Sequence, residues 1–63
     1  MTEDEYIIIT NRVKITNAKN VISDLYTGDD YGVSPGQKLK LTEILFTIEE
    51  RLFKKTEELM DNA

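Results

Sequence analysis

The apolar residues that follow Ser34 repeat with the period of an α-helix and cover more than half of its circumference. At about 100° per residue, one stripe occupies an arc of roughly 100°; it consists of Leu41, Ile44, Leu45, Ile48, Leu52 and Leu59. A second stripe lies beside it and recurs every seven residues, at Leu39, Phe46, Phe53 and Met60. A helix that packs only within its own domain needs an apolar arc of about 100° or somewhat more. The second stripe is therefore predicted to bind another chain.

The start of this helix is the clearest local signal in the sequence. Ser34 is a favourable N-cap, Pro35 suits the first helical position, and Gln37 stands where a capping box has Glu or Gln. The helical period then continues as far as Met60. The pattern predicts a helix over about 35–60.

A shorter helix is predicted before it, over about 17–27. Its apolar positions follow the i, i+3, i+4, i+7 spacing and are Ala18, Val21, Ile22 and Leu25. Either Thr16 or Asn17 can serve as its N-cap. Either Gly28 or Gly32 can supply the left-handed residue that ends a helix. Because the connection is short, the two helices are expected to be antiparallel neighbours in a helical hairpin.

The first residues favour a strand. The run Tyr6 to Thr10 is rich in β-branched and aromatic side chains, and Val13 and Ile15 then alternate with polar residues. The alternative is a helix that starts at Thr2, with Glu5 closing a capping box. The predicted fold class is mainly α: an antiparallel helical hairpin (about 17–27 and 35–60) with a short N-terminal β segment (about 5–16), in one domain of residues 1–63.

The chain length limits the stability that this fold can have alone, because 63 residues lie near the lower limit for a self-supporting core. The sequence contains no cysteine and no histidine, so disulfides and the commonest metal ligands cannot supply stability. Helix packing and association must supply it instead. A homodimer or a complex with a partner protein is expected.

Net charge and hydropathy restrict the partners. The formal charge of −4 and the pI near 4.6 argue against a general nucleic-acid binder. No apolar run approaches the roughly 20 residues that span a bilayer, so no membrane partner is expected. The acidic start, Thr2 to Glu5, differs from the basic start of a signal or transit peptide. A cytoplasmic location is the expectation.

Few side chains offer chemistry, and the chain is not expected to be an enzyme. Hydroxyl nucleophiles lack a histidine that would activate them, and Ser34 is better explained as a helix cap. Asp29 and Asp30 lack the ligand spacing of a calcium loop. No metal or cofactor is predicted. The charged pairs of the second helix, Glu49-Glu50 and Lys54-Lys55, are interpreted as its solvated and paired faces.

One resemblance covers about residues 21–52. It rests on Leu25-Tyr26, Tyr31-Gly32-Val33-Ser34, Leu39, Leu41-Thr42-Glu43 and Leu45. These segments resemble the small aspartyl-phosphate phosphatases of the sporulation phosphorelay, which are two-helix hairpins with a Ser-Gln-x-Leu-Asp signature. The resemblance puts Phe46 where the family has its acting carboxylate. It therefore implies docking to a response regulator more than phosphatase activity.

A second resemblance rests on the alternating segment Arg12-Val13-Lys14-Ile15-Thr16 and on Gly32-Val33-Ser34. Both segments are similar to parts of ribbon-helix-helix repressors, whose paired strands read the major groove. The resemblance implies that Arg12, Lys14 and Thr16 contact bases and that Lys38 and Lys40 lie near the DNA backbone. Residues 12–40 hold five basic and three acidic residues, although the whole chain is acidic.

The preferred hypothesis is a small regulatory protein that binds a protein partner through its hairpin and inhibits or redirects it. Small acidic chains without catalytic side chains are often of this kind, and phage-encoded inhibitors of host enzymes are among them. The alternatives are a DNA-binding repressor and a relative of the phosphorelay phosphatases. The predicted partner-binding residues are those of the second stripe: Leu39, Phe46, Phe53 and Met60.

Overall fold

The computed structural model describes residues 2–61, which form two long helices joined by a short connection. Helix α1 comprises Glu3–Ser23 and helix α2 comprises Pro35–Asp61, with one turn of 3-10 helix, Asp29–Tyr31, between them. The two helices pack along each other as a hairpin, and the molecule measures 50 × 15 × 13 Å. The predicted helical hairpin is confirmed.

Helix α1 begins earlier than the preferred prediction. Residues 5–16, predicted as a β segment, are helical, and among residues 2–61 the β structure amounts to an isolated bridge between Gly28 and Val33. The alternative start at Thr2 is the one observed. Its hydroxyl Oγ1 accepts a hydrogen bond from the backbone N–H of Glu5 at 3.2 Å, which satisfies one of the free N–H groups of the first turn.

Packing explains why the β-branched residues of α1 are helical. Ile8, Ile15 and Ile22 recur every seven residues, and all three are half-buried. This repeat runs through the whole of α1, so every second turn brings an isoleucine to the same side. The contact with α2 outweighs the local β propensity of the isoleucine run, as tertiary packing commonly does.

Helix α1 also ends earlier than predicted, at Ser23, and no glycine ends it. The Lys38 ammonium donates hydrogen bonds to the carbonyl oxygens of Ser23 (2.8 Å) and Leu25 (3.0 Å). A cation at the carbonyl end of a helix satisfies free acceptors and complements the helix dipole. The left-handed Gly32 (φ 76°) instead ends the 3-10 turn, and Gly28 donates its N–H to the Val33 carbonyl at 2.8 Å.

The predicted start of α2 is confirmed as a complete capping box. The Ser34 hydroxyl accepts from the Gln37 N–H, and the Gln37 side-chain carbonyl accepts from the Ser34 N–H, both at 3.1 Å. This reciprocal pair satisfies two backbone donors at once. The helix then continues without interruption to Asp61.

The seam between the helices alternates aliphatic and polar residues. Its α1 positions are Glu5, Ile8, Arg12, Ile15, Lys19 and Ile22, and its α2 positions are Thr42, Leu45, Glu49, Leu52, Thr56 and Leu59. Glu49 is buried and all the others are half-buried. Within residues 2–61 no hydrophobic side chain is fully buried. Two helices of this composition therefore leave their apolar residues only partly covered.

In the described part of the chain, neither helix combines the length and the apolar composition that crossing a membrane requires.

Candidate interaction surfaces

A buried carboxylate lies in the middle of the hairpin seam. Glu49 is 7% exposed, and its two oxygens accept hydrogen bonds from the Lys19 ammonium (2.8 Å) and the Thr16 hydroxyl (3.1 Å). The Lys19 hydrogen bond is the main cause that lowers the pKa of Glu49, and it outweighs the opposing effect of desolvation. In this polar cluster of Glu49, Lys19 and Thr16, the buried carboxylate is satisfied by a half-buried cation and a hydroxyl, and a one-turn slip of either helix would separate the two charges.

The polar cluster corrects the sequence interpretation of Glu49-Glu50. Glu50 is exposed as expected, whereas Glu49 faces α1. The 3- and 4-residue spacing from Leu45 to Glu49 to Leu52 could have identified this position. The signal was obscured because the two residues that bind Glu49 were assigned to different elements, Thr16 to the predicted strand and Lys19 to the predicted first helix.

Two cations of α1 lie over the phenylalanine rings of α2. The Arg12 guanidinium lies 3.9 Å from the centroid of the Phe53 ring, and the Lys19 ammonium lies 5.7 Å from that of Phe46. The contacts advance by seven residues on α1 while they go back by seven on α2, as an antiparallel register requires. Cation–π attraction thus favours the placement of both rings beside the seam.

The four residues predicted to bind a partner form one exposed stripe along α2. Phe46 is 51% exposed and Phe53 is 40% exposed, and Leu39 and Met60 at the two ends are more exposed still. We call Leu39, Phe46, Phe53 and Met60 the phenylalanine stripe. The structure brings all four to one side of the helix, where α1 leaves them largely uncovered.

Helix α1 adds an apolar region to the same side, which the sequence interpretation missed. A shallow groove there is lined by Ile9, Arg12, Val13, Thr16 and Asn17. Arg12 contacts Phe53 and Thr16 contacts Glu49, so this groove borders the phenylalanine stripe. Val13 is exposed, as is Ile9 to a smaller extent. Assigning these residues to a strand hid their helical spacing.

A second apolar surface lies on the other flank of α2. One groove near the turn is lined by Gly32, Val33, Gln37, Lys40, Leu41 and Ile44, and the next one along is lined by Glu43, Ile44, Thr47, Ile48 and Arg51. The two share Ile44, and we call them together the turn-side groove. At about 100° per residue, Ile44 lies opposite Phe53 on the helix.

The turn-side groove corrects the prediction for the first apolar stripe, which was expected to pack within the domain. Ile44 is 57% exposed and Leu41 is 43% exposed. The other members of that stripe, Leu45, Ile48, Leu52 and Leu59, are half-buried. One neighbouring helix covers a limited arc, so the residues at the edge of the stripe remain accessible.

The residues implied by the repressor resemblance have other contacts in the hairpin. Arg12, Lys14 and Thr16 lie on α1, so they do not form a DNA-reading strand. Arg12 stacks on Phe53, Thr16 binds Glu49, and Lys38 caps α1. Lys14 and Lys40 are exposed. The structure thus places Arg12, Lys14 and Thr16 on a helix and not on a strand. A contact of these residues with nucleic acid stays a prediction.

The remaining candidate positions offer little chemistry. Phe46, at the signature position of the phosphatase resemblance, lies beneath Lys19. Asp29 and Asp30 are exposed in the 3-10 turn. Residues 2–61 contain no group of three or more acidic, histidine or cysteine side chains placed to hold a metal ion. The prominent features of this structure are therefore its exposed apolar surfaces, the phenylalanine stripe and the turn-side groove.

No family model matches the chain, and no curated protein or solved structure was found to be similar to it.

Proposed function

We propose that this chain is a small non-enzymatic regulatory protein that binds a partner protein through its hairpin and inhibits it. The observation that carries the proposal is the apolar surface exposed on both flanks of α2. Extended exposed apolar patches mark interaction sites in folded proteins. The capping box and the polar cluster hold the hairpin in one conformation, so these surfaces are ordered before a partner binds.

The charged side chains support binding rather than catalysis. The buried carboxylate, Glu49, is already neutralised by Lys19 and satisfied by Thr16. A general acid or base must be able to exchange its proton with a substrate. Glu49 is committed to the seam, so its evident role is to hold the two helices together.

The proposal includes a homodimer. A chain of this size without a fully buried hydrophobic residue in its described part has little stability of its own. Association can cover one flank of α2 while the other flank remains open. Two flanks thus allow the protein to bind a second copy and a different protein at the same time.

Capture followed by reconstitution tests the proposed function. The tagged protein is used as bait in its native cells, and the captured protein is then purified and titrated with the untagged chain. We expect saturable binding by calorimetry and a loss of the partner's activity that follows occupancy. The matched control is Lys14→Met, an exposed α1 change outside both flanks of α2, which should bind as the unmodified chain does.

Two other results would overturn the proposal. A sequence-specific gel shift at about 0.15 M salt, with a strong salt dependence, would show a repressor. Accelerated release of phosphate from a phosphorylated response regulator would show a phosphatase relative. In either case the unmodified chain, without any captured protein, would account for the activity.

A further inference from the structure

We infer that the occupant of the phenylalanine stripe is a second copy of this chain, packed antiparallel about a two-fold axis that passes between residues 49 and 50. The inference deepens the proposed function, because it rests on the claim that the exposed apolar surfaces are binding surfaces. It leaves the turn-side groove as the surface for a different protein.

The accessible area of the chain is too large for a compact monomer. The 7.3 kDa chain exposes 5180 Å², whereas a globular protein of this mass exposes about 4,200 Å². A compact dimer would expose about 6,900 Å². Reaching that value from two separate chains requires burial of about 3,500 Å², which lies within the range of obligate homodimers.

The order of residues in the stripe fits a two-fold axis. Read from either end, the stripe is a non-aromatic apolar residue, two phenylalanines and another non-aromatic apolar residue, and its neighbours are seven positions apart. An isologous contact requires that residue i meets residue j and that j meets i. Antiparallel pairing of two α2 helices provides this, because Phe46 then meets Phe53 of the second copy and Leu39 meets its Met60.

The two halves of the stripe have different neighbours on α1. Antiparallel pairing of two copies places these unlike halves against each other. Near Phe53, α1 presents Ile9 and Val13 beside Arg12, whereas near Phe46 it presents Lys19 and polar residues. Antiparallel pairing brings the Phe46 half of one copy onto the Phe53 half of the other. The Phe46 half of each stripe, which has polar neighbours in its own chain, thus gains apolar contacts with α1 of the second copy, and four helices form a bundle.

Two matched pairs of substitutions on α2 test the stripe against the turn-side groove. Phe46→Gln with Phe53→Gln should raise the dissociation constant of the dimer by on the order of a hundredfold or more, because truncated central aromatic anchors dominate such losses. Leu41→Gln with Ile44→Gln should leave it within about threefold. Glutamine retains helix propensity and adds no charge that could attract Arg12 or Lys19. Sedimentation equilibrium at micromolar concentrations measures both.

Cross-linking provides a second test that does not depend on destabilised variants. The chain contains no cysteine, so each single substitution introduces the only thiol. Glu50→Cys places the thiol beside the stripe at the level of the axis and should give covalent dimers rapidly on oxidation. Arg51→Cys, on the next residue but about 100° further round the helix, should give at least tenfold less in the same time.

The outcomes separate this inference from the proposed function. A monomeric unmodified chain, or equal cross-linking at residues 50 and 51, would overturn the inference. If the chain is a monomer and the paired phenylalanine substitutions abolish binding to the captured protein, the homodimer fails, inhibition of a partner protein survives, and the stripe binds that protein. If the dimer forms as described and no protein is inhibited, the inference holds and the proposed function fails.

Discussion

At the scale of single residues, the polar cluster has the largest effect on how the hairpin is built. Glu49 is buried between Lys19 and Thr16 in the middle of a seam whose neighbouring layers contain isoleucine and leucine. A buried ion pair contributes little net stability compared with apolar residues, but loss of one partner is costly. We expect the ion pair to favour one register of the two helices, since a one-turn slip of either helix would separate the charges.

The two lysines of α1 provide a direct test of this cluster. Lys19→Met keeps an apolar stem and removes the ammonium, so it should lower the melting temperature clearly at pH 7. Lys14→Met, at an exposed position without an ion pair among residues 2–61, should change it little. Circular dichroism melts at equal concentration measure both. Equal melting temperatures for the two variants would mean that Glu49 needs no cation.

The lowered pKa of Glu49 also predicts a pH dependence. The folded-state pKa lies below the ordinary value of 4.5, so the ionised carboxylate stabilises the fold above pH 4.5. This contribution is lost as the pH falls through 4.5 and then through the lower folded-state value. Glu49→Gln should flatten the loss of stability in that window, measured by urea unfolding at several pH values.

The matched control for the pH experiment is Glu43→Gln, because Glu43 is exposed and lies on the same helix. It should retain the steep acid limb of the unmodified chain. If Glu43→Gln and Glu49→Gln flatten the curve equally, the acid sensitivity is a general charge effect and not a property of the seam.

At the scale of elements, α2 and the last part of α1 were predicted as helices, whereas the preferred prediction for residues 5–16 was wrong. Ser34, Pro35 and Gln37 form a local signal that needs no tertiary contact, and the structure has the helix start that they predict. The strand prediction for residues 5–16 failed because Ile7, Ile8 and Ile9 favour β structure locally. Their helical conformation depends on contact with α2, which only the seven-residue spacing of Ile8, Ile15 and Ile22 indicates.

The exposed apolar surfaces were predictable to the same extent. The phenylalanine stripe follows from the spacing on α2 alone and was found there at every position. Ile9 and Val13 were missed because their helix was missed. The exposure of Leu41 and Ile44 could not be predicted, since it depends on where α1 crosses the apolar arc and not on the width of the arc.

The capping box at the start of α2 gives a prediction for the element. Ser34→Ala removes the acceptor for the Gln37 N–H and should cost about 1 kcal/mol of stability. Thr47→Ala removes a mid-helix hydroxyl that binds the Glu43 carbonyl, a type of hydrogen bond that does not stabilise a helix, so it should be neutral or slightly stabilising. Urea unfolding of both variants measures the difference, and a neutral Ser34→Ala would contradict the assignment of the cap.

At the scale of the whole molecule, one structural fact dominates: a 50 Å hairpin with a half-polar seam and apolar side chains on both flanks. Within residues 2–61 the two helices enclose no buried hydrophobic side chain, and domains are usually built from packed layers around a core. The proposed dimer supplies a further layer on one flank and leaves the other flank for a different protein.

Sedimentation equilibrium of the unmodified chain at micromolar concentration tests this account most directly. Twice the mass of the 7.3 kDa chain, with a melting temperature that rises with protein concentration, is the predicted result. A mass of 7.3 kDa together with a cooperative melt that is independent of concentration would show that the hairpin is stable alone. That result would contradict the account.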